Sequence, residues 1–189
     1  MKRCAWADSD PLLLEYHDKE WGLPTHDDVK LFEFIILEGA QAGLNWLTIL
    51  KKRSNYRVAF SAFDPEQVAR FTRRDLNNLL KDAGIIRNRL KIEAAIINAR
   101  RFLEIKDEFG SFDRYVWQFT GGQPIQHSLR SVAAIPTKTI ESVRMSQALR
   151  KRGFRFVGPV ICYSFMQAVG MVNDHITSCF RYKQLQPHE

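Results

Sequence analysis

Two cysteine and histidine pairs stand at opposite ends of this chain: Cys4 and His17 near its start, His175 and Cys179 near its end. His175 and Cys179 are spaced i, i+4, so one helical turn would point both side chains the same way. Cys4 and His17 flank a segment dense in Trp, Tyr and His, CAWADSDPLLLEYHDKEW. Two thiolates and two imidazoles make the closed tetrahedral set of structural Zn²⁺ sites. If all four converge, one zinc ties the segment 1–25 to the segment 170–189. The alternative is four unrelated residues, each packed or solvated on its own account. A catalytic zinc fits less well, because four protein ligands leave no position for water.

Between those ends the apolar residues recur with helical spacing. Asp27 or Asp28 caps a predicted helix carrying Leu31, Phe32, Ile35 and Ile36, and the pattern resumes after Gly39 with Leu44, Leu47 and Leu50. Asp64, Pro65 and Gln67 read as N-cap, N1 and N3 of another helix. Leu76, Leu79 and Leu80 run towards Gly84, a C′ glycine on this reading. Ile92, Ala95, Ile96, Ala99, Phe102 and Leu103 form the stripe of a long helix, and Ser111 caps one carrying Phe112, Tyr115, Val116 and Phe119. Residues 120–137 show little periodicity and read as a loop or crossover. No run alternates like a strand, so the expected fold is all-α.

At 189 residues the chain suits a single domain spanning 1–189 that buries a core without disulfides. Its formal charge of +7 favours a polyanionic partner. The third cysteine, Cys162, lies in the apolar run VICYSFMQAV and is expected to be buried. An odd cysteine count without a secretory signal points to a reducing, cytoplasmic setting. No apolar stretch is long enough for a membrane span, and a monomer is expected.

The most telling loop is Gly153-Phe-Arg-Phe-Val-Gly158, within the region 140–170. The helix before it ends in Arg150, Lys151 and Arg152, with Gly153 at C′. The helix after it opens at Gly158-Pro159, and proline at N1 is a strong start signal. Glycines bracketing a short turn let backbone approach a ligand closely, and N–H groups at a helix start hold phosphate. That is the outline of a helix–hairpin–helix, which grips a DNA backbone without reading sequence. From the loop alone, an ordinary helical hairpin whose cations complement the helix dipole fits equally well.

Taken together, CAWADSDPLLLEYHDKEWG, FEFIILEGAQAGLNWLTILKKR, DAGIIRNRLKI and KRGFRFVGPVICYSFMQAVGMVNDHITSC resemble the DNA-3-methyladenine glycosylase I family over nearly the whole chain. The Cys4, His17, His175 and Cys179 set matches that family's zinc site residue for residue. The resemblance implies an all-α helix–hairpin–helix glycosylase fold that removes 3-methyladenine from alkylated double-stranded DNA and releases it as free base. It further implies that Glu38, the catalytic candidate, lies with Tyr16 and Trp46 in a base pocket, with Trp6 and Trp21 nearby. Gly153, Arg155, Gly158, Lys151 and Arg152 are the expected backbone contacts.

The residue chemistry suits that role. A glycosylase must extrude its target into a pocket of aromatic faces and a few polar groups. N3-methylation makes the base cationic in its nucleoside, which an indole face and a carboxylate favour. Trp46 follows Glu38 by eight residues, so a continuous or merely kinked helix would aim both into one cavity. Asp174, beside His175, either stabilises a sugar cation or orients a ligand imidazole, and is kept out of the catalytic set. No lysine near the hairpin presents itself as a Schiff-base nucleophile, so base removal without strand cleavage is expected. Two rivals are a non-catalytic zinc-stabilised DNA-binding module and a zinc hydrolase with one ligand detached.

Overall fold

The computed structural model describes residues 1–186; positions 187–189, the end of the predicted segment 170–189, lie outside the described residues. Short polar side chains start most helices by accepting the first free N–H groups. Asp10 accepts from Leu12 N at α1 (Pro11–Lys19) and Asp27 from Lys30 N at α2 (Asp28–Gln41). Asn45 accepts from Thr48 N at α3 (Trp46–Ala59), Asp64 opens α4 (Pro65–Ala69), and a Thr72/Asp75 capping box opens α5 (Arg73–Leu79). Asn88 caps α6 (Arg89–Phe109) and Ser111 caps α7 (Phe112–Trp117). Thr139 caps α8 (Ile140–Lys151), and Gly158 precedes Pro159 at the start of α9 (Pro159–Ala168). A short α10 (Phe180–Gln184) begins directly after Cys179.

α2 is the axis of the molecule. All ten residues from Leu31 to Ala40 are buried, including Glu33 and Glu38. A helix that is buried all round must be enclosed by other elements; α3, α6, α7 and α9 pack against it. The predicted stripe of α6 lies in this core, where Phe102 packs on Phe32 and Phe112 at centroid distances of 5.2 and 4.3 Å. No described helix is long and apolar enough to cross a membrane.

The all-α expectation holds at the level of architecture, with one addition. Inside the predicted crossover, β1 (Ile125–Gln126) pairs in parallel with β2 (Val172–Asn173). Two residues per strand are too few to leave an alternating pattern. The pairing nonetheless fastens the crossover to the segment that leads into His175. Gly84 is not a helix C′ residue: α5 closes at Leu80, and Gly84 sits in a turn where a β-carbon would lie 2.9 Å from both Asn55 Cβ and Asp82 Oδ1. Close approach rather than a left-handed backbone requires that glycine. Phe119 falls just beyond α7, in a single 3₁₀ turn.

Candidate functional site

Tyr16 and His17 are consecutive on α1, both buried, and roughly 100° apart around the helix axis. They face two different centres. His17 joins Cys4, His175 and Cys179 in a buried cluster whose ligand atoms all lie within 4.8 Å of one another. Cys179 Sγ is 3.4 Å from His17 Nε2 and 3.5 Å from His175 Nδ1, and Cys4 Sγ is 3.7 Å from His175 Nδ1. In a tetrahedron with typical Zn–S and Zn–N bond lengths the sulfur–nitrogen edge is roughly 3.5 Å. The donor set therefore fits a tetrahedral metal.

The far nitrogens of both rings are also committed. His17 Nδ1 lies 2.8 Å from Asp18 Oδ1, and His175 Nε2 lies 2.9 Å from the Trp21 carbonyl. With a proton on each far nitrogen, His17 Nε2 and His175 Nδ1 face the cluster as lone pairs. Burial holds His17 below its ordinary value and His175 down to about 4, so both rings are neutral near pH 7. Burial also pushes the Cys4 thiol up to about 12, a group that a cation at the centre would deprotonate. His175 and Cys179 do not share a helical turn, contrary to the sequence expectation. They sit in a loop closed by Cys179 N donating to Ile176 O at 2.7 Å, and a non-helical turn brings their ligand atoms together.

Tyr16 faces the second centre, a cleft of about 630 Å³ whose lining includes Trp6, Tyr16, Trp21, Glu38 and Trp46. All five residues implied by the resemblance therefore share one wall. Tyr16 and Trp46 have centroids 5.3 Å apart, and Trp6 and Trp21 meet edge to face at 5.1 Å. Trp21 serves both centres, since its ring also packs on His175 at 4.6 Å. The Glu38/Trp46 juxtaposition arises differently from the expected helix, continuous or only kinked at Gly39 and Gly43. α2 ends at Gln41, the chain turns through Gly43 with φ +77°, and Trp46 is the first residue of α3. A corner, not helical periodicity, puts the indole beside the carboxylate.

Glu38 is 3% exposed and its Oε2 has no hydrogen-bond partner among the described residues; nor does Trp46 Nε1. Among the described residues, no Lys, Arg or His lines the cleft. Burial therefore pushes the Glu38 carboxyl up to about 8. Burial, reinforced by the nearby Glu38, also raises the Tyr16 hydroxyl well above its ordinary value. The cleft offers π faces, an unsatisfied carboxylate and no competing cation.

Two parts of this wall escaped the sequence reading. Val132, Ile135, Pro136 and Thr137 come from the irregular crossover, and Ser164 and Gln167 from α9. Nothing periodic marks the crossover residues, whereas Ser164 and Gln167 are i, i+3 on one helix and were open to discovery. Asp174 is fully buried but orients no ligand imidazole, as one of its two expected roles required. It accepts from His127 Nδ1 at 2.6 Å, Tyr163 Oη at 2.5 Å and Gln167 Nε2 at 2.7 Å. Because a carboxylate only accepts, Gln167 turns its NH₂ to Asp174.

The loop joins α8 to α9, with Gly153 at φ +88° after α8 and Pro159 opening α9. Arg150, Lys151 and Arg155 are exposed. Arg152 is not free: it bonds Glu108 at 2.6 and 2.8 Å and lies over the Phe109 and Tyr115 rings at 5.0 and 4.9 Å. An ion pair with aromatic faces beneath it makes Arg152 a brace between α8 and α6.

Comparison with known proteins places this geometry. The chain is 51% identical over 187 residues to DNA-3-methyladenine glycosylase 1 of Escherichia coli (strain K12), covering 99% of this chain and 100% of that protein. A crystal structure of 3-methyladenine DNA glycosylase I superposes with a TM-score of 0.92 at 54% identity, covering 95% of this chain and 98% of the other. A Tyr-to-Phe variant of a 3-methyladenine DNA glycosylase I, solved in complex with 3-methyladenine, gives 0.93 at 36% identity over 100% of this chain and 99% of the other. The methyladenine glycosylase family model matches residues 6–182, a span that holds the cleft, the hairpin and three of the four clustered Cys and His residues, and this chain belongs to that family.

Proposed function

We propose that this protein is a hydrolase of N-glycosyl bonds that excises 3-methyladenine from alkylated double-stranded DNA and leaves both strands intact. The observation that carries this reading is the buried Oε2 of Glu38, which has no partner among the described residues, within an aromatic cleft that none of their cations lines. A buried carboxylate without a partner is costly, and a flipped cationic base removes that cost. The base stacks on Trp46 and Tyr16 while Glu38 accepts hydrogen bonds from its exocyclic amine edge. The cation also favours the ionised carboxylate over the protonated form that burial promotes. Breaking the C1′–N9 bond sends its electron pair to the purine, which leaves as neutral 3-methyladenine without prior protonation. Water supplies hydroxide to C1′ of the oxocarbenium-like sugar and its proton passes to solvent.

The Cys4/His17/His175/Cys179 cluster is proposed to hold one Zn²⁺. A closed four-ligand zinc supplies a cross-link rather than a water to activate, here between the two ends of the chain. Three free cysteines without a disulfide suit a reducing cytoplasm. The exposed Arg150, Lys151 and Arg155, with the backbone from Gly153 to Gly158, are proposed to hold DNA phosphates, as the hairpin reading requires.

The test is incubation of purified protein with methylated duplex, assaying free base and strand breaks separately. Released 3-methyladenine with unbroken strands is the expected result. DNA binding without base release would instead establish a non-catalytic module. Metal analysis should find about one zinc per chain, and chelation should lower the melting temperature before it alters base affinity; protein that is metal-free and equally stable would refute the zinc assignment.

A further inference from the structure

One side of α2 presents Glu38 to the cleft, and the next residue meets the hairpin. A β-carbon on Gly39 would lie 3.3 Å from Phe156 Cβ. Phe156 has φ +53°, a left-handed conformation that a non-glycine residue keeps only where its surroundings impose it. Side chains from three helices impose it here. Asn98 of α6, 3% exposed, donates Nδ2–H to Arg155 O at 2.9 Å and accepts Arg155 N–H at 2.8 Å. Ser146 of α8, 1% exposed, donates its hydroxyl to Val157 O at 2.6 Å. The Cys162 thiol of α9 donates to the same oxygen at 3.4 Å.

These bonds draw the turn's carbonyl oxygens into the protein. Meanwhile the N–H groups of Phe156, Val157 and Gly158 find no backbone acceptor in the turn. We propose that Asn98 and Ser146 are positioning residues for DNA. By taking up the carbonyls of Arg155 and Val157 inside, they leave the outward surface of the turn composed of N–H donors, the polarity that a phosphate requires. This rests on the reading that the hairpin grips the DNA backbone. Neither residue touches the cleft, so both act on grip and not on base recognition.

The test uses the full chain and a duplex bearing an abasic site. Asn98→Leu and Ser146→Ala are compared with wild type for duplex affinity, affinity for free 3-methyladenine and melting temperature, with Gly158→Asp as the control on the grip itself. Each positioning variant should weaken duplex binding about five- to tenfold, the scale of one ordinary hydrogen bond, while free-base affinity stays within about twofold. Ser146→Ala removes a single hydroxyl, which keeps the test intact should Asn98→Leu fold poorly. If Gly158→Asp abolishes duplex binding while both variants bind duplex like wild type, the positioning role is overturned and the grip stands. If Gly158→Asp itself binds normally, the grip reading fails and this inference with it. Parallel losses of duplex affinity, base affinity and melting temperature would mark both residues as merely structural and overturn the proposal.

Discussion

Glu33 and Glu38 lie five residues apart on α2 and are almost equally buried, at 4% and 3% exposure, yet their surroundings are opposite. Glu33 is held by Arg53 Nε at 2.7 Å, Arg57 Nε at 3.0 Å and Lys30 Nζ at 3.2 Å. Arg53 also grips Glu20 with two bonds of 2.8 Å, which ties the end of α1 to α2 and α3. Burial works to raise the Glu33 carboxyl, but the hydrogen bonds and charges of Arg53, Lys30 and Arg57 outweigh it and hold it below its ordinary value. Around Glu38 burial acts unopposed. One carboxylate is satisfied by the protein; the other has an oxygen with no partner among the described residues. Burial alone thus says nothing of function, and the presence or absence of a partner separates the two.

The comparison breaks most visibly at Arg53. Replacing Arg53 by Leu leaves Glu33 to Lys30 and Arg57 and takes from Glu20 both of its bonds to Arg53. The loss in unfolding free energy should approach the ~3–5 kcal/mol of other buried ion pairs missing one partner. Urea denaturation measures it. A loss under about 1 kcal/mol would mean that Glu33 is no more dependent on its partners than Glu38, against the general cost of an uncompensated buried charge.

Glu38→Gln should act in the opposite sense on stability and cripple chemistry. Gln keeps the shape but exchanges an acceptor for a donor facing the base's amine. Single-turnover release of 3-methyladenine should fall by about 2–4 kcal/mol in transition-state stabilisation. An unchanged rate would remove Glu38 from the site.

The free protein should then show a pH signature. Because the folded Glu38 carboxyl is raised to about 8, its stabilising contribution is complete at acid pH and is lost as pH rises through about 8. Glu38→Gln should lack that loss and melt above wild type at pH 9 while matching it near pH 5. Parallel melting curves across that range would show that Glu38 already has a partner in the free protein.

Trp46→Ala is the mildest probe. It removes one stacking face, at about 1–3 kcal/mol of base affinity, and leaves the Glu33 network untouched. Isothermal titration with free 3-methyladenine reads it directly. No change in affinity would leave the stacking role to Tyr16.

What the sequence determined by itself was local or compositional. A cap at Asp27 or Asp28, caps at Asp64 and Ser111, the α6 stripe, Gly153 at C′ and Pro159 at N1 each depend on side chains within one turn of the backbone they govern, so they are legible in order along the chain. The Cys and His set was legible because few residue types bind metal. Tertiary structure alone decided the rest. It replaced the expected helical turn at His175 and Cys179 by a loop, and the expected helix from Glu38 to Trp46, continuous or only kinked at Gly39 and Gly43, by a corner at Gly43 between two separate helices. It brought Val132, Ile135, Pro136 and Thr137 to the cleft, and gave cations to Glu33 but, among the described residues, none to Glu38. It also spent Arg152 on Glu108. The physical reason is common to all of these. Periodicity and capping are set by neighbours a few bonds away, whereas the partner of a buried charge is chosen by packing between segments distant in the chain, which no local pattern encodes.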